Sequence, residues 1–240
     1  MQVIYEPKGR AREFAPLAAN LYRGCGHGCL YCFGPQTLKM KRDAFSSEPK
    51  PRKDVLKFLE KDARKYRGDG REILLSFTSD PYQPLEMKLN LIRRAIEILI
   101  RNQLRFTILT KGGMRASRDF DLLERCDRCR FGTTLVFINQ ADASRWEPNA
   151  SPVSERIEAI KAAHKRGIKT WVSLEPVIDP DQALELIRLL HPVVGHWKVG
   201  KLNYKSPDKP VDWIKFRDAV TDLLGSLGAD YYIKKSLTEL

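Results

Sequence analysis

The sequence predicts an α/β fold, a partial (β/α)6 TIM-like barrel that stops short of eight units. Three features lead there. Strand and helix signals alternate along the 240 residues. The connections between them are short, which favours a parallel sheet with helices outside. The chemistry-bearing polar segments fall where strands end, as they do in barrels of this class. The length suits one domain with a full core, placed at about 16–200 of a single unit 1–240, with a C-terminal helix and tail at 205–240.

The elements follow in order. A strand near 16–22 leads into a cysteine-rich loop. Residues 71–77 form a short apolar run, a buried-strand signal. Leu89, Ile92, Ala95, Ile96 and Leu99 recur at helical spacing over 86–102. Residues 105–109 read as strand, 118–125 as a short helix, and 130–137 as a β-rich run with Phe131, Thr133, Thr134, Val136 and Phe137. A helix is predicted over 152–166, with Ser151 as N-cap, Pro152 at its first position and Gly167 closing it. Strand 169–174 ends before Pro176, which reads as a strand stop. Helix 180–190, strand 194–199 and helix 211–225 complete about six units. Cys25–Cys32, Thr78-Ser79-Asp80, Thr110-Lys111 and Glu175-Pro176 sit at the strand ends.

Composition narrows the class. Apolar residues at 42% with 9% aromatics exclude a wholly disordered chain. The apolar runs fall short of the ~18 residues a membrane helix needs. Pro7, Arg10 and Arg12 break the apolar stretch a secretory signal requires, so a cytoplasmic location is expected. Lys plus Arg number 42 against 30 Asp plus Glu, a net charge of +12. Such a surface attracts phosphate-rich partners without defining a reaction. Residues 39–67 hold eleven basic residues against five acids, half of that surplus. With Lys198, Lys201, Lys205, Lys209, Lys234 and Lys235 they form a predicted basic rim for DNA or RNA. The plainer alternative for 39–67 is a solvated helix face with i,i+4 ion pairs.

Five cysteines occur, at 25, 29, 32, 126 and 129. An odd count with three inside eight residues argues against a disulfide framework and for metal or redox chemistry. The first three lie in Arg23-Gly24-Cys25-Gly26-His27-Gly28-Cys29-Leu30-Tyr31-Cys32-Phe33, spaced C-x3-C-x2-C. Three thiolates on a Gly-rich loop can each hold one iron of a 4Fe–4S cubane and leave the fourth iron open. Zinc is the competing reading, with His27 or a distant Cys as fourth ligand. Cys126-Asp127-Arg128-Cys129 offers too few thiols for a second metal and reads as packing or surface thiols.

C-x3-C-x-Tyr-C directly after the first strand resembles the signature of the radical S-adenosylmethionine (SAM) superfamily. Tyr22-Arg23-Gly24-Cys25 with His27, Thr78-Ser79-Asp80-Pro81-Tyr82-Gln83-Pro84-Leu85-Glu86, Leu109-Thr110-Lys111 and Glu147-Pro148 resemble the branch named after spore photoproduct lyase. The resemblance implies a barrel of the radical SAM type and two cofactors, a 4Fe–4S cluster and SAM. It implies reductive cleavage of SAM and hydrogen abstraction from a substrate, with DNA or RNA the leading class. An external one-electron donor of the flavodoxin or ferredoxin type is the expected partner.

The same resemblance assigns residues. Cys25, Cys29 and Cys32 become the cluster ligands and Tyr31 the aromatic beside the adenine. Ser79, flanked by Thr78 and Asp80, lies near the methionyl amine. Lys111 pairs with the SAM carboxylate and Thr134 meets the ribose. Phe33, where those lyases have Tyr after the last cluster Cys, is counted with the cofactor positions. Those lyases also carry a Cys before Thr-Ser-Asp that returns hydrogen to the product radical; here Phe77 stands there and cannot do so. A sister activity is therefore expected, with Tyr204, Tyr82 or recycled SAM as hydrogen source. Glu175 and Tyr204 are the remaining catalytic candidates. The rival reading is a non-catalytic zinc or iron–sulfur nucleic-acid-binding module, which leaves Thr78-Ser79-Asp80 and Lys111 unexplained.

Overall fold

The computed structural model describes residues 1–203, 207 and 210–240. β1 (Ile4–Tyr5) precedes β2 (Leu17–Ala19). A small ribbon of β3 (Tyr22–Arg23) and β4 (Lys50–Pro51) brackets the cysteine loop, α1 (Gly34–Thr37) and α2 (Arg42–Ser47). Next come α3 (Val55–Lys65), β5 (Glu72–Leu75), α4 (Glu86–Leu89), α5 (Leu91–Arg101) and β6 (Arg105–Thr110). They are followed by α6 (Phe120–Leu123), β7 (Cys129–Thr134), α7 (Gln140–Trp146), α8 (Val153–Lys165) and β8 (Thr170–Val177). α9 (Pro180–Leu190), β9 (Trp197–Lys201), α10 (Trp213–Ser226), β10 (Tyr231–Ile233) and α11 (Lys235–Thr238) complete the chain.

β2, β5, β6, β7, β8, β9 and β10 are parallel neighbours in that order, and β1 pairs antiparallel with β2. The six expected barrel strands are β2 and β5 to β9. The flanking β1 and β10 are two and three residues long, too short to show a period. β1 and β10 are not bonded to each other, so the barrel is open. Side chains bridge the gap. Glu13 Oε2 accepts from Tyr232 Oη at 3.2 Å and from the Lys235 N–H at 3.0 Å. Lys198 Nζ donates to the carbonyls of Glu13 at 3.0 Å and Phe14 at 2.5 Å.

The core lies between sheet and helices. Ile73, Leu75, Phe106, Ile108 and Phe131 on the strands are buried against Ile92, Ala95, Ile96 and Leu99 of α5 and their neighbours. The opposite face of the sheet points into the barrel, where Ala15, Ala18, Leu74 and Trp171 form a second, small cluster. Trp171 donates its indole N–H to Ile108 O at 3.1 Å and covers Gly132. A Cβ on Gly132 would stand 2.3 Å from the indole nitrogen. Gly132→Ala is therefore expected to lower stability by about 1–3 kcal/mol through overpacking. Urea denaturation measures this, and an unchanged midpoint would contradict the packing described.

Three local expectations change. Pro152 is the N-cap of α8, whose first helical residue is Val153. Ser151 Oγ instead donates to Gly112 O at 2.7 Å, tying the helix entrance to the loop after β6. β8 does not stop before Pro176 but continues to Val177. The β8–β9 register shifts between Leu174 and Val177, so no ladder donor is asked of Pro176. The helix predicted over 118–125 is a 3₁₀ turn, Gly113–Asp119, running into the four residues of α6. In α3, Val55, Leu59 and Ala63 are buried while Arg64 pairs with Glu60 at 3.1 Å, the solvated-face alternative for this segment. No helix among the described residues is long and apolar enough to cross a membrane.

Candidate active site

The cysteine loop starts where β3 ends. Gly24 and Gly28 adopt φ of +89° and +66°, which a side chain disfavours, and a Cβ on Gly24 would meet Phe45 O at 2.7 Å. The Cys25 N–H donates to Phe45 O at 3.0 Å. Gln83 clamps the loop from the β5 side, accepting from the Gly26 N–H at 2.9 Å and donating to Gly24 O at 3.4 Å. Arg42 of α2 donates to the carbonyls of Cys29 and Cys32, both at 3.0 Å. The segment after α7 docks alongside: the Leu30 N–H donates to Trp146 O at 2.9 Å and the Asn149 N–H to His27 O at 3.1 Å. The loop is held in place from three directions before any cofactor binds.

Cys25 and Cys29 are buried and Cys32 half-buried. Burial pushes the Cys29 and Cys32 thiols up, so their thiolates need a positive partner. The Gly34 N–H donates to Cys32 Sγ at 3.3 Å. Among the described residues no three His, Cys, Asp or Glu side chains gather as ligands of one metal ion. A cubane makes no such demand, because each thiolate holds a different iron. His27 does not complete a zinc site. Its Nδ1 faces Asp80 Oδ2 at 3.4 Å and its Nε2 faces Arg115 at 3.0 Å, so both ring nitrogens are engaged.

The thiols open onto a solvent-connected cavity of about 1020 Å³ at the C-terminal ends of the strands. Tyr31, Phe33, Thr78, Ser79, Asp80, Lys111, Thr134 and Glu175 all line it. The structure thus brings together on one cavity the three cysteines, the predicted cofactor positions and Glu175; Tyr204 lies outside the described residues, as do Lys205 and Lys209. The Oγ atoms of Ser76, Ser79 and Ser173 are buried in its wall with no hydrogen-bond partner among the described residues. Orphaned buried hydroxyls are rare and point to a ligand that satisfies them. Three thiols, a cation and free hydroxyls on one wall fit a cluster and a zwitterionic cofactor such as SAM.

Asp80 positions other groups. Its Oδ1 accepts from Thr110 Oγ1 at 2.6 Å and the Tyr82 N–H at 2.8 Å, and its Oδ2 from the Lys111 N–H at 2.7 Å. Burial would raise its pKa, but His27 and these donors outweigh that and hold the carboxyl well below its usual range. Asp80 thereby fixes the turn that presents Lys111. The Lys111 ammonium lies 5.4 Å from the centroid of the Tyr31 ring and 4.0 Å from Glu147. Burial opposes its charge, yet the Cys29 thiolate and Glu147 prevail and raise its pKa.

Glu147 is the residue whose weight the sequence concealed. It is fully buried, accepts from the Tyr31 hydroxyl, and binds Arg156 NH1 at 2.5 Å. Arg156 in turn donates to Ser151 O at 2.8 Å and Thr134 O at 3.3 Å. One carboxylate so connects the cluster loop to Thr134. Asn20 has a similar hidden role: its Oδ1 accepts from the Phe77 N–H at 2.7 Å and the Thr78 N–H at 2.8 Å, shaping the Thr-Ser-Asp turn. Glu86, inside the same motif, is buried beneath the Tyr22 hydroxyl and Arg118.

Phe33, Phe77 and Phe14 form an aromatic wall, with centroids 5.1 Å and 5.9 Å apart. Glu175, beside it, has both oxygens within 2.9 Å of Lys234 Nζ. Burial pushes its pKa up and Lys234 pulls against that. Two expectations fail here. Lys198 and Lys234 do not join a basic rim: both are buried, Lys198 on two carbonyls and Lys234 on Glu175 over the Phe14 ring. Tyr82 does not face the cavity either. It is buried with its hydroxyl on Asp119 at 3.0 Å, which removes it as a hydrogen source.

Comparisons with known proteins agree with this geometry. A spore photoproduct lyase variant, solved with AdoMet and a dinucleoside spore photoproduct, superposes with a TM-score of 0.73 at 16% identity, covering 96% of this chain and 78% of that one. Streptococcus suis SuiB bound to S-adenosylmethionine gives 0.69 at 15% identity, covering 93% and 52%. By sequence, an uncharacterised protein of Acidianus two-tailed virus is 26% identical over 180 residues, 71% of this chain and 59% of that protein. One from Methanocaldococcus jannaschii is 28% identical over 167 residues, 70% and 62%. The chain thus spans about three-fifths of the length of these curated relatives. The family model of the Radical SAM superfamily matches residues 19–191. That stretch runs from the strand before the cysteine loop through α9, and with it the chain belongs to the radical SAM superfamily.

Proposed function

We propose that this radical SAM enzyme cleaves SAM reductively and abstracts a hydrogen atom from a nucleic acid substrate. The family brings a 4Fe–4S cluster and SAM, and the reduced cluster supplies the electron that splits SAM into methionine and a 5′-deoxyadenosyl radical. The observation that carries the reading is the convergence of Cys25, Cys29 and Cys32 with Lys111 and the orphaned Ser79 hydroxyl on one cavity. In it the thiols hold the cluster, Lys111 binds the SAM carboxylate and Ser79 accepts from the amino group. Tyr31, oriented by Glu147, lies along the adenine, and Thr134 meets the ribose. The wall of Phe14, Phe33 and Phe77 excludes water from the reacting carbon.

Two observations favour a nucleic acid: the basic surplus of residues 39–67, which follow the cluster loop, and an aromatic wall able to stack a base. The similar lyase variant was solved with a dinucleoside, and SuiB also with its precursor peptide SuiA. The deciding experiment measures 5′-deoxyadenosine release by the reduced holoenzyme with duplex DNA, tRNA, peptide or no substrate. Stimulation by one of the nucleic acids is expected; equal release in all arms removes them. Failure of the cluster-loaded protein to bind SAM in calorimetry would favour the non-catalytic module instead.

Lys111 gives a quantitative check. Lys111→Met is expected to weaken SAM binding by about 10- to 100-fold, the loss of one charge-assisted contact of ~1.5–3 kcal/mol. Calorimetry with the reconstituted protein measures it, and an unchanged Kd would remove Lys111 from the SAM site.

A further inference from the structure

At the N-terminal ends of the strands, away from the cavity, the connection from α6 into β7 carries Cys126-Asp127-Arg128-Cys129. The reaction above uses neither thiol. The four residues make a turn in which the Cys129 N–H donates to Cys126 O at 3.4 Å. Such a turn keeps its outer Cα atoms within about 7 Å, inside the reach of a disulfide. The Cys129 S–H is turned back over the turn toward Cys126, with its Sγ 3.1 Å from Cys126 O and 3.4 Å from Leu123 O.

The two thiols are not equivalent. Cys129 is buried at the start of β7, whereas Cys126 is half-buried and open to solvent. Hydrogen bonding from Cys129 and from the backbone N–H of Arg128 outweighs burial and holds the Cys126 thiol below the ordinary cysteine range. Cys129, donating to that sulfur and buried, is displaced upward. One thiol is thus disposed to attack and the other is held beside it in reserve.

A polar groove adjoins the turn. Two of its acids are neutralised: Asp69 by Arg71 at 2.8 Å and Glu72 by Arg130 at 2.9 Å. Arg105, Arg128 and Lys169 remain, against Asp127 alone. The groove meets the turn at Asp127, Arg128 and Cys129, so a small molecule at the turn meets a cationic surface.

We propose that Cys126 and Cys129 form a thiol–disulfide exchange site for low-molecular-weight disulfides that carry carboxylates. The Cys126 thiolate attacks one sulfur of R–S–S–R; the Cys126–S–S–R bond forms, the small disulfide breaks, and RS⁻ leaves with the electron pair. Cys129 then gives up its proton, and its thiolate attacks the Cys126 sulfur. The Cys126–Cys129 disulfide forms and the second RS⁻ leaves. Two protein thiols are oxidised, one small disulfide is reduced to two thiols, and the two protons end on the released thiolates.

The test uses anaerobic, cluster-loaded protein and oxidised glutathione, followed by alkylation and peptide mass mapping. Wild type is expected to form the 126–129 disulfide without a lasting adduct. Cys129→Ala is expected to retain one glutathionyl group on Cys126, and Cys126→Ser to leave Cys129 unmodified. Cationic cystamine, with rates normalised to a model thiol, is expected to react about tenfold slower at low salt. Wild-type thiols that stay reduced in a glutathione redox titration overturn the proposal without recourse to any variant. So does a Cys126 in folded Cys129→Ala that takes no adduct. Equal normalised rates for the two disulfides overturn the carboxylate preference.

Discussion

Cys29→Ala is expected to abolish 5′-deoxyadenosine release and to lower iron content after anaerobic reconstitution to a small fraction of wild type. In the proposed site Cys29 is the middle ligand; it is buried, and its carbonyl is held by Arg42. In that proposal the three thiolates are the protein's hold on the cluster, and losing one would leave a second iron without a protein ligand. Iron and sulfide analysis and visible absorbance measure the cluster, and chromatography of quenched reactions measures the nucleoside. Because Gln83, Phe45 and Arg42 hold the loop through backbone groups, the variant is expected to remain folded. Full activity in Cys29→Ala would refute the assignment of this loop.

Glu147→Gln is expected to lose about 3–5 kcal/mol of stability, the cost of leaving a buried guanidinium without its counter-charge. The Glu147 side chain is fully buried and that of Arg156 is 2% exposed, so water cannot compensate. The double variant Glu147→Gln/Arg156→Met is expected to recover part of the loss, because it removes the stranded charge. Denaturant titration of all three proteins measures this, and a single variant within 1 kcal/mol of wild type would contradict the description. A functional effect should follow, since glutamine offers one acceptor oxygen where Glu147 offers two, and the Tyr31 hydroxyl must then compete with Arg156 for it.

What the sequence discloses here follows from how far each interaction reaches along the chain. The cysteine loop is legible because cluster chemistry demands three thiols at short spacing, all within eight residues. The barrel strands are legible because burial on both faces makes them continuous apolar runs. Glu147 is not, because its partner Tyr31 is 116 residues away and no local pattern joins them. Asn20 and Gln83 act the same way, through side chains that bind backbone 57 residues distant. Lys198 and Lys234 mislead for a different reason. A charge count treats every lysine as surface, whereas these two are turned inward by carbonyls and a carboxylate that only the closed fold supplies.

The open side of the barrel sets its mechanics. Elsewhere around the ring, neighbouring strands are laced by backbone hydrogen bonds, but between β1 and β10 the closure rests on Glu13, Tyr232, Lys235 and Lys198. A handful of such bonds, each worth about 0.5–1.5 kcal/mol net, is far weaker than a strand ladder joined to a packed core. This line is the seam expected to open before the strand ladders do, and hydrogen exchange at β1 and β10 would measure it. It runs down to the Phe14–Phe77 wall, so a parting of the seam would widen the cavity from the side rather than from its mouth.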